Sequence, residues 1–260
     1  MRHYQGLDNL SNKKRKAALS AINDDCHAYI TGPLLEEVSL IILEDTGGKG
    51  RIEVDPSDET GQTLLVWYPR VDNSETGYVQ AAVKIESGAK SALDPNTPRI
   101  ITPYISDDVS NLNLSIPNVT TIDAERTFWD KVVILHGLCS WFKSRSELKQ
   151  DGQRLSRHYY NLHCMPASDI GQRAIANDAL GCDCVAHAKT FYNRPAFDLN
   201  SAAIGTFTLV PSEPMLERLR ADYHNTEAMI FGDAPTIEDI LGSIQDIEKA
   251  VNTPSEERAE

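Results

Sequence analysis

Asp123-Ala124-Glu125-Arg126-Thr127-Phe128-Trp129-Asp130-Lys131-Val132-Val133-Ile134-Leu135-His136-Gly137-Leu138-Cys139 is the stretch at which the chain changes period. Phe128, Val132, Leu135 and Cys139 recur every three or four residues, which lays one apolar stripe along a helix, and Asp123 has the chemistry to cap its start. The spacing predicts a helix from Asp123 to about Phe142, in a chain that turns helical beyond Pro117. Upstream the period is two. Arg51-Ile52-Glu53-Val54-Asp55 alternates, Thr63 to Tyr68 is rich in β-formers, Tyr78 to Glu86 alternates again, and Arg99 to Ile105 is a short extended run. The separators Thr46 to Gly50, Pro56 to Gly61, Pro69 to Gly77 and Asp94 to Pro98 all carry turn residues.

Outward from this core of the reading, Ser11 to Leu43 has helical spacing, with Gly32-Pro33 expected to break it in two because proline belongs in a first turn. Downstream, Arg154 to Met165 forms a second predicted helix, Ile170 to Tyr192 one or two more, and Pro214 suits the first turn of a helix running to about Ile230. Thr236-Ile237-Glu238-Asp239 resembles a capping box ahead of a stripe of Ile237, Ile240, Leu241, Ile244, Ile247 and Val251. The expected fold is α+β: a small, mainly antiparallel sheet behind a helical arm (1–120), a helical C-terminal region (121–252) and a frayed polar tail (253–260).

The chain has 260 residues, 41% hydrophobic and 24% charged, enough for one large or two modest cores; its formal net charge is −13 and its pI about 5.0. That balance disfavours a general nucleic-acid binder. Lys13-Lys14-Arg15-Lys16 reads either as a solvated helix face or as a nucleic-acid contact. The cysteines are odd in number and scattered, the first ten residues are too polar for a signal peptide, and no stretch approaches the ~18 apolar residues of a membrane span. A reducing cytoplasm and no membrane partner are expected. Cys182-Asp183-Cys184 with His187 lacks the usual spacer and a fourth ligand for zinc.

Two blocks carry a resemblance. The first is Ala82-Val83-Lys84-Ile85-Glu86-Ser87-Gly88-Ala89-Lys90-Ser91. The second runs from Ala124-Glu125-Arg126-Thr127-Phe128-Trp129-Asp130-Lys131 through Ile134-Leu135-His136 and resumes at Arg154-Leu155-Ser156-Arg157-His158-Tyr159-Tyr160-Asn161-Leu162. In order and spacing they resemble the AbiEii/AbiGii nucleotidyltransferases, toxin halves of bacterial toxin–antitoxin and abortive-infection systems that act in phage defence. The likeness continues through Asp222-Tyr223, Met229 and the last helix. It implies a polymerase-β-type chemistry, in which a glycine turn holds a nucleoside triphosphate and carboxylates hold Mg²⁺ for in-line transfer to an acceptor, tRNA in some relatives, under the control of a cognate antitoxin.

Carried onto this sequence, the resemblance makes Glu86 the third metal carboxylate, with Lys84 beside it on the same strand face; the plain alternative is a half-buried strand with polar residues outward. Gly88 is expected to permit a tight turn. Lys131 resembles a nucleotide-facing lysine, or is a solvated helix residue. Arg154, Arg157 and His158 would lie along one helix as phosphate contacts, or form an Arg-rich face packed on acids. Tyr159 and Tyr160 are expected to pack.

Two departures follow. The glycine turn and Asp-x-Asp pair expected before a helical arm are not found ahead of Ser11, and Asn161 stands where an aspartate is expected, without its charge or base capacity. Thr46-Gly47-Gly48-Lys49-Gly50 followed by Glu53-Val54-Asp55 is no substitute, since four residues between turn and strand cannot form a helix and return; it reads as a hairpin turn. The sequence therefore predicts a truncated catalyst, active only if the missing motifs are supplied by a complementing N-terminal fragment. Its open sheet edge would favour an oligomer. The alternative is a non-catalytic remnant acting as a protein-binding module.

Overall fold

The computed structural model describes the chain except residues 1–5, 8–9, 71–80, 110, 150–153, 167, 228, 231 and 255–260. Expectations for the Pro69–Gly77 turn beyond residue 70, the start of the alternating run at 78–80 and most of the tail lie outside the described residues. The chain divides into two compact units, residues 1–91 and 92–260.

The first unit opens with a helix in three segments: α1 (Asn12–Tyr29), a π turn (Ile30–Leu34) and α2 (Leu35–Asp45). The expected break at Gly32-Pro33 does not occur. Pro33 sits inside the π turn, where the Leu35 N–H reaches back to the Ile30 carbonyl, and the widened turn takes up the proline while every flanking residue stays helical. By length and composition the helix over Lys13–Asp45 is long and apolar enough to cross a bilayer, which corrects the sequence expectation. That expectation sought unbroken apolar residues, whereas this apolar stretch is interrupted by Glu36 and Glu37. α2 ends in a glycine cap. Gly48 N–H donates to the Leu43 carbonyl at 2.8 Å and Gly47 N–H to Glu44 at 3.2 Å, with φ of +80° and +60°. Gly47-Gly48 is thus a Schellman-type helix stop leading into a strand, not a hairpin turn.

β1 (Arg51–Val54), β2 (Thr63–Trp67) and β3 (Ala82–Glu86) form an antiparallel sheet in sequence order. β2 is central and its Leu64, Leu65 and Val66 are buried. The register pairs Glu53 with Leu65 and Leu65 with Lys84, and Thr63 with Glu86. One face therefore carries Arg51, Glu53, Lys84 and Glu86, and the other Ile52, Val54, Val83 and Ile85, as alternation required.

The second unit begins with the antiparallel pair β4 (Asn96–Ile101) and β5 (Ile116–Ile122). The small antiparallel component is therefore two sheets, and strand continues past Pro117 to Ile122. Then come α3 (Ala124–Arg145), α4 (Ser156–Cys164), α5 (Asp169–Ile175), α6 (Asp178–Phe191), α7 (Glu213–Glu227) and α8 (Ile237–Asn252). Asp123 stands at the N-cap position of α3, but its carboxylate accepts from the Thr97 hydroxyl of β4 at 2.7 Å and not from a helix N–H. α3 is the axis of the core: Phe128, Trp129, Val132 and Leu135 are fully buried and pack with Leu162, Leu209, Leu219, Ile240 and Ile244. α8 carries the predicted capping box, Thr236 with Asp239, and buries Ile240, Ile244, Ile247 and Val251.

Candidate functional site

In the first unit the polar face of the sheet gathers charge around Lys84. Its ammonium lies 3.2 Å from Asp55 Oδ2 and 3.5 Å from Glu86 Oε1. Asp55 directly follows β1; its N–H extends the ladder to the Thr63 carbonyl, and its buried carboxylate also accepts from the Ser57 N–H and hydroxyl at 2.8 and 2.6 Å. Those bonds from Ser57, with Lys84 beside it, hold the Asp55 carboxyl below its usual range, and Asp55 in turn raises the Lys84 ammonium. Glu86 is exposed. Glu53, on the same face, is committed to Arg51 at 2.7 Å and to the Trp67 indole at 2.8 Å.

Glu86 thus shares a lysine with one other acid. No group of three or more His, Cys, Asp or Glu that could hold a metal occurs among the described residues, and the lysine occupies the position between the two carboxylates that a divalent cation would need. These side chains do not by themselves fit Mg²⁺. Asp55 is the participant that the sequence reading missed. It entered that reading as the end of an alternating run and as half of the rejected Glu53-Val54-Asp55 substitute, and the pairing register that carries it to Lys84 is not legible without partner strands.

The segment after β3 is fastened by Gln62. Its side-chain oxygen accepts from the Ala89 N–H at 2.9 Å and its amide donates to Asn23 of α1 at 2.8 Å. Gly88 has no positive φ, and a Cβ there would meet only ordinary contacts with Ser91 and Gln62, so the turn does not depend on glycine as expected.

In the second unit, α3 and α4 bring three of the predicted residues together. Lys131 is half-buried on α3. Burial lowers its ammonium's pKa, and the nearby Arg157 guanidinium lowers it further against the counter-pull of Asp130. Asp130 itself pairs with Arg126 at 3.4 Å. His158 follows Arg157 on α4 and is pushed down to about 3, first by burial and then by Lys131, Arg157 and Lys149. Its ring is neutral at physiological pH, and its buried Nδ1 has no partner among the described residues. Asn161 lies four residues beyond Arg157 and three beyond His158, hence on the same flank of α4.

Arg154 is a correction. It precedes the helix in the left-handed conformation, φ +56°, so the helical spacing that linked it to Arg157 and His158 does not apply. Tyr159 is fully buried against Cys139, as expected of a packing residue, and Tyr160 packs on the edge of the core.

What fixes α4 is a buried polar knot. Asp222 of α7 accepts from the Ser156 N–H at 2.7 Å, and the Ser156 and Thr226 hydroxyls are 3.1 Å apart. A carboxylate at the helix start satisfies an orphan donor and complements the dipole. Arg126 is similarly structural: buried, it donates to Asp183 at 2.6 Å and to the Asp94 carbonyl at 2.9 Å. Cys184 turns into the core beside the Arg126 carbonyl, Cys182 is exposed, and all the cysteines are free.

Comparison with curated proteins and with solved structures gives no match. A family comparison does: the model for the nucleotidyl transferase AbiEii toxin of type IV toxin–antitoxin systems matches residues 7–253, a span that takes in the Lys84 strand, the Lys131 helix, the Arg157–Asn161 flank and the Asp222 knot. The chain therefore belongs to the AbiEii nucleotidyl transferase toxin family.

Proposed function

We propose that Lys131, Arg157 and His158 bind the phosphates of a nucleoside triphosphate in a nucleotidyl transfer toxin. Asn161 lies on the flank where the acceptor meets the nucleotide. The observation that carries this is the convergence of Lys131 and Arg157 on a neutral, half-buried imidazole, with neither cation in an ion pair among the described residues. A mobile lysine charge beside a forked guanidinium suits a phosphate chain. Arg154 stays a candidate contact from outside the helix. Lys84 and Glu86 stay candidate catalytic residues of the first unit, with Asp55 beside them; the divalent metal usual in the family is not held by these side chains alone. Family membership implies a nucleotide substrate and a cognate antitoxin; tRNA as acceptor and a cytoplasmic setting belong to this proposal.

The test is calorimetric titration of the chain with each nucleoside triphosphate. Lys131→Ala and Arg157→Ala should each weaken binding about tenfold, the loss of one charge-assisted contact. Affinity unchanged in both variants would refute the proposal. A second reading, a partner-binding module without transfer activity, is favoured by Asn161 and by the Lys84-centred acid pair. Incubation with labelled nucleoside triphosphates, Mg²⁺ and bulk tRNA separates the two, since efficient label transfer by this chain excludes it.

A further inference from the structure

The helical arm of the first unit carries, at both ends, charge of the sign that its own helix disfavours. It opens with Lys13-Lys14-Arg15-Lys16 and has no acid in its first turn. It closes with Glu44-Asp45, behind Glu36 and Glu37, and has no base in its last turn. A helix macrodipole favours the reverse, with acids at the N-terminus and bases at the C-terminus. Lys13, Lys14 and Lys16 are exposed, as are the carboxylates of the far end, and none of these groups is ion-paired among the described residues. Between the acids lie Leu40 and Ile41, 70% and 50% exposed. The acidic half of the arm therefore also presents bare apolar surface.

By composition this helix passes for a membrane span, yet the folded unit does not leave it free to insert. Its inner flank is fastened to the sheet. The Asn23 side chain accepts from Gln62 at 2.8 Å, the His27 ring lies 3.2 Å from the Gly61 carbonyl, and α2 packs on β1. Glu36 and Glu37 also interrupt the apolar stretch, and carboxylates inside a bilayer are costly. What the outer flank complements is its own reverse. In an antiparallel pair of arms about a two-fold axis near Ala28, the basic end of each copy meets the acidic end of the other and the two dipoles oppose; a parallel pair would set like charges together. The lysine stems can lie over Leu40 and Ile41 while their ammoniums reach Glu37 and Glu44. A contact strip about 10 Å wide along an arm of about 50 Å covers roughly 500 Å² per copy, at the lower limit of a specific interface, which suits a reversible dimer in the micromolar range.

We propose that the outer flank of the arm is an interface for a second copy of this chain, paired antiparallel so that Lys13 and Lys16 of each copy lie among Glu37, Leu40, Ile41 and Glu44 of the other. Pairing cancels the misplaced end charges and covers the bare apolar residues in one step. It does not rest on the nucleotide-binding reading, since the arm contains none of the residues assigned to that role.

The test is sedimentation equilibrium of the full chain from about 1 to about 100 µM, at about 0.15 M salt to screen the general repulsion between acidic chains. The wild type should pass from monomer to dimer across that range. Lys13→Glu with Lys16→Glu should weaken the dimer at least about tenfold, and so should Glu37→Lys with Glu44→Lys, because each change is made twice in a symmetric pair and turns attraction into repulsion. The four substitutions combined restore opposite charges only in the antiparallel arrangement, and should return the dissociation constant to within about threefold of the wild type. Leu40→Gln with Ile41→Gln should weaken the dimer about tenfold with every charge intact. Circular dichroism confirms that each variant stays folded. A wild type that is monomeric throughout, a dimer indifferent to either charge reversal, or no recovery in the combined variant would overturn the proposal. So would a monomeric chain that floats with vesicles of phosphatidylcholine and phosphatidylglycerol, since the arm would then serve a lipid surface.

Discussion

His158 is a base kept uncharged by its surroundings, and the sign of that effect is testable. The folded ring titrates at about 3 and the unfolded ring at 6.5, so between those values the unfolded chain holds the extra proton. Stability contributed by the neutral ring is intact above about 6.5 and is lost as pH falls toward 3, by at most about 1.4 kcal/mol per pH unit. Melting curves of the wild type and His158→Asn from pH 7 to 4 should converge as the pH drops; parallel curves would contradict the burial argument. Arg126 presents the opposite case, a buried charge kept by its partners. Arg126→Ala should destabilise the chain by about 1–3 kcal/mol, through the lost hydrogen bond to the Asp94 carbonyl and the emptied buried site, since the exposed Asp183 carboxylate can be solvated; urea denaturation measures it. The sequence placed Lys131, Arg157 and His158 near one another through a family resemblance, and the helices bring them together. It could not reveal the role of Asp55, since strand register leaves no periodic trace.

At the scale of elements, α4 is only as well aimed as its start. Asp222→Ala should cost about 1–2 kcal/mol and also weaken nucleotide binding by letting Arg157 and His158 shift, whereas Thr236→Ala at the distant α8 cap should cost about 1 kcal/mol and leave binding alone. Thermal melts paired with calorimetric titration distinguish the two. α3 and α6 meet closely at Gly181, where an added Cβ would fall 3.0 Å from the Trp129 ring. Gly181→Val should therefore lose about 1–3 kcal/mol through overpacking, read by urea denaturation. Helices with strong stripes and caps were legible in advance, α8 most of all. The end of β5 was missed because the sequence cue, Pro117, sits inside an edge strand that tolerates it. Arg154 was assigned to α4 by its spacing, and its left-handed backbone excludes it.

Over the whole molecule, α+β class and a helical C-terminal half follow from where the period changes from two to 3.6, and one sheet became two because turn residues mark strand ends without saying which strands pair. The net charge of −13 sets a further expectation. Self-repulsion should be screened by salt, so the melting temperature should rise between low and about 0.15 M ionic strength, where the screening length falls to about 8 Å; a flat profile would mean the acids are already compensated locally. The π turn in the arm has a mechanical corollary. The continuous helix from Asn12 to Asp45 is a rod of about 50 Å, and its one widened turn fixes the rotational phase of everything beyond it. Excising Pro33 would close that turn to ordinary α geometry and leave Leu40, Ile41 and Leu43 on nearly the same face, because a π turn holds one residue more than an α turn. The widened turn therefore absorbs the extra residue without re-aiming the far end of the rod, whereas a one-residue deletion in the regular α-helix between Leu35 and Leu40 would swing that face by roughly 100°.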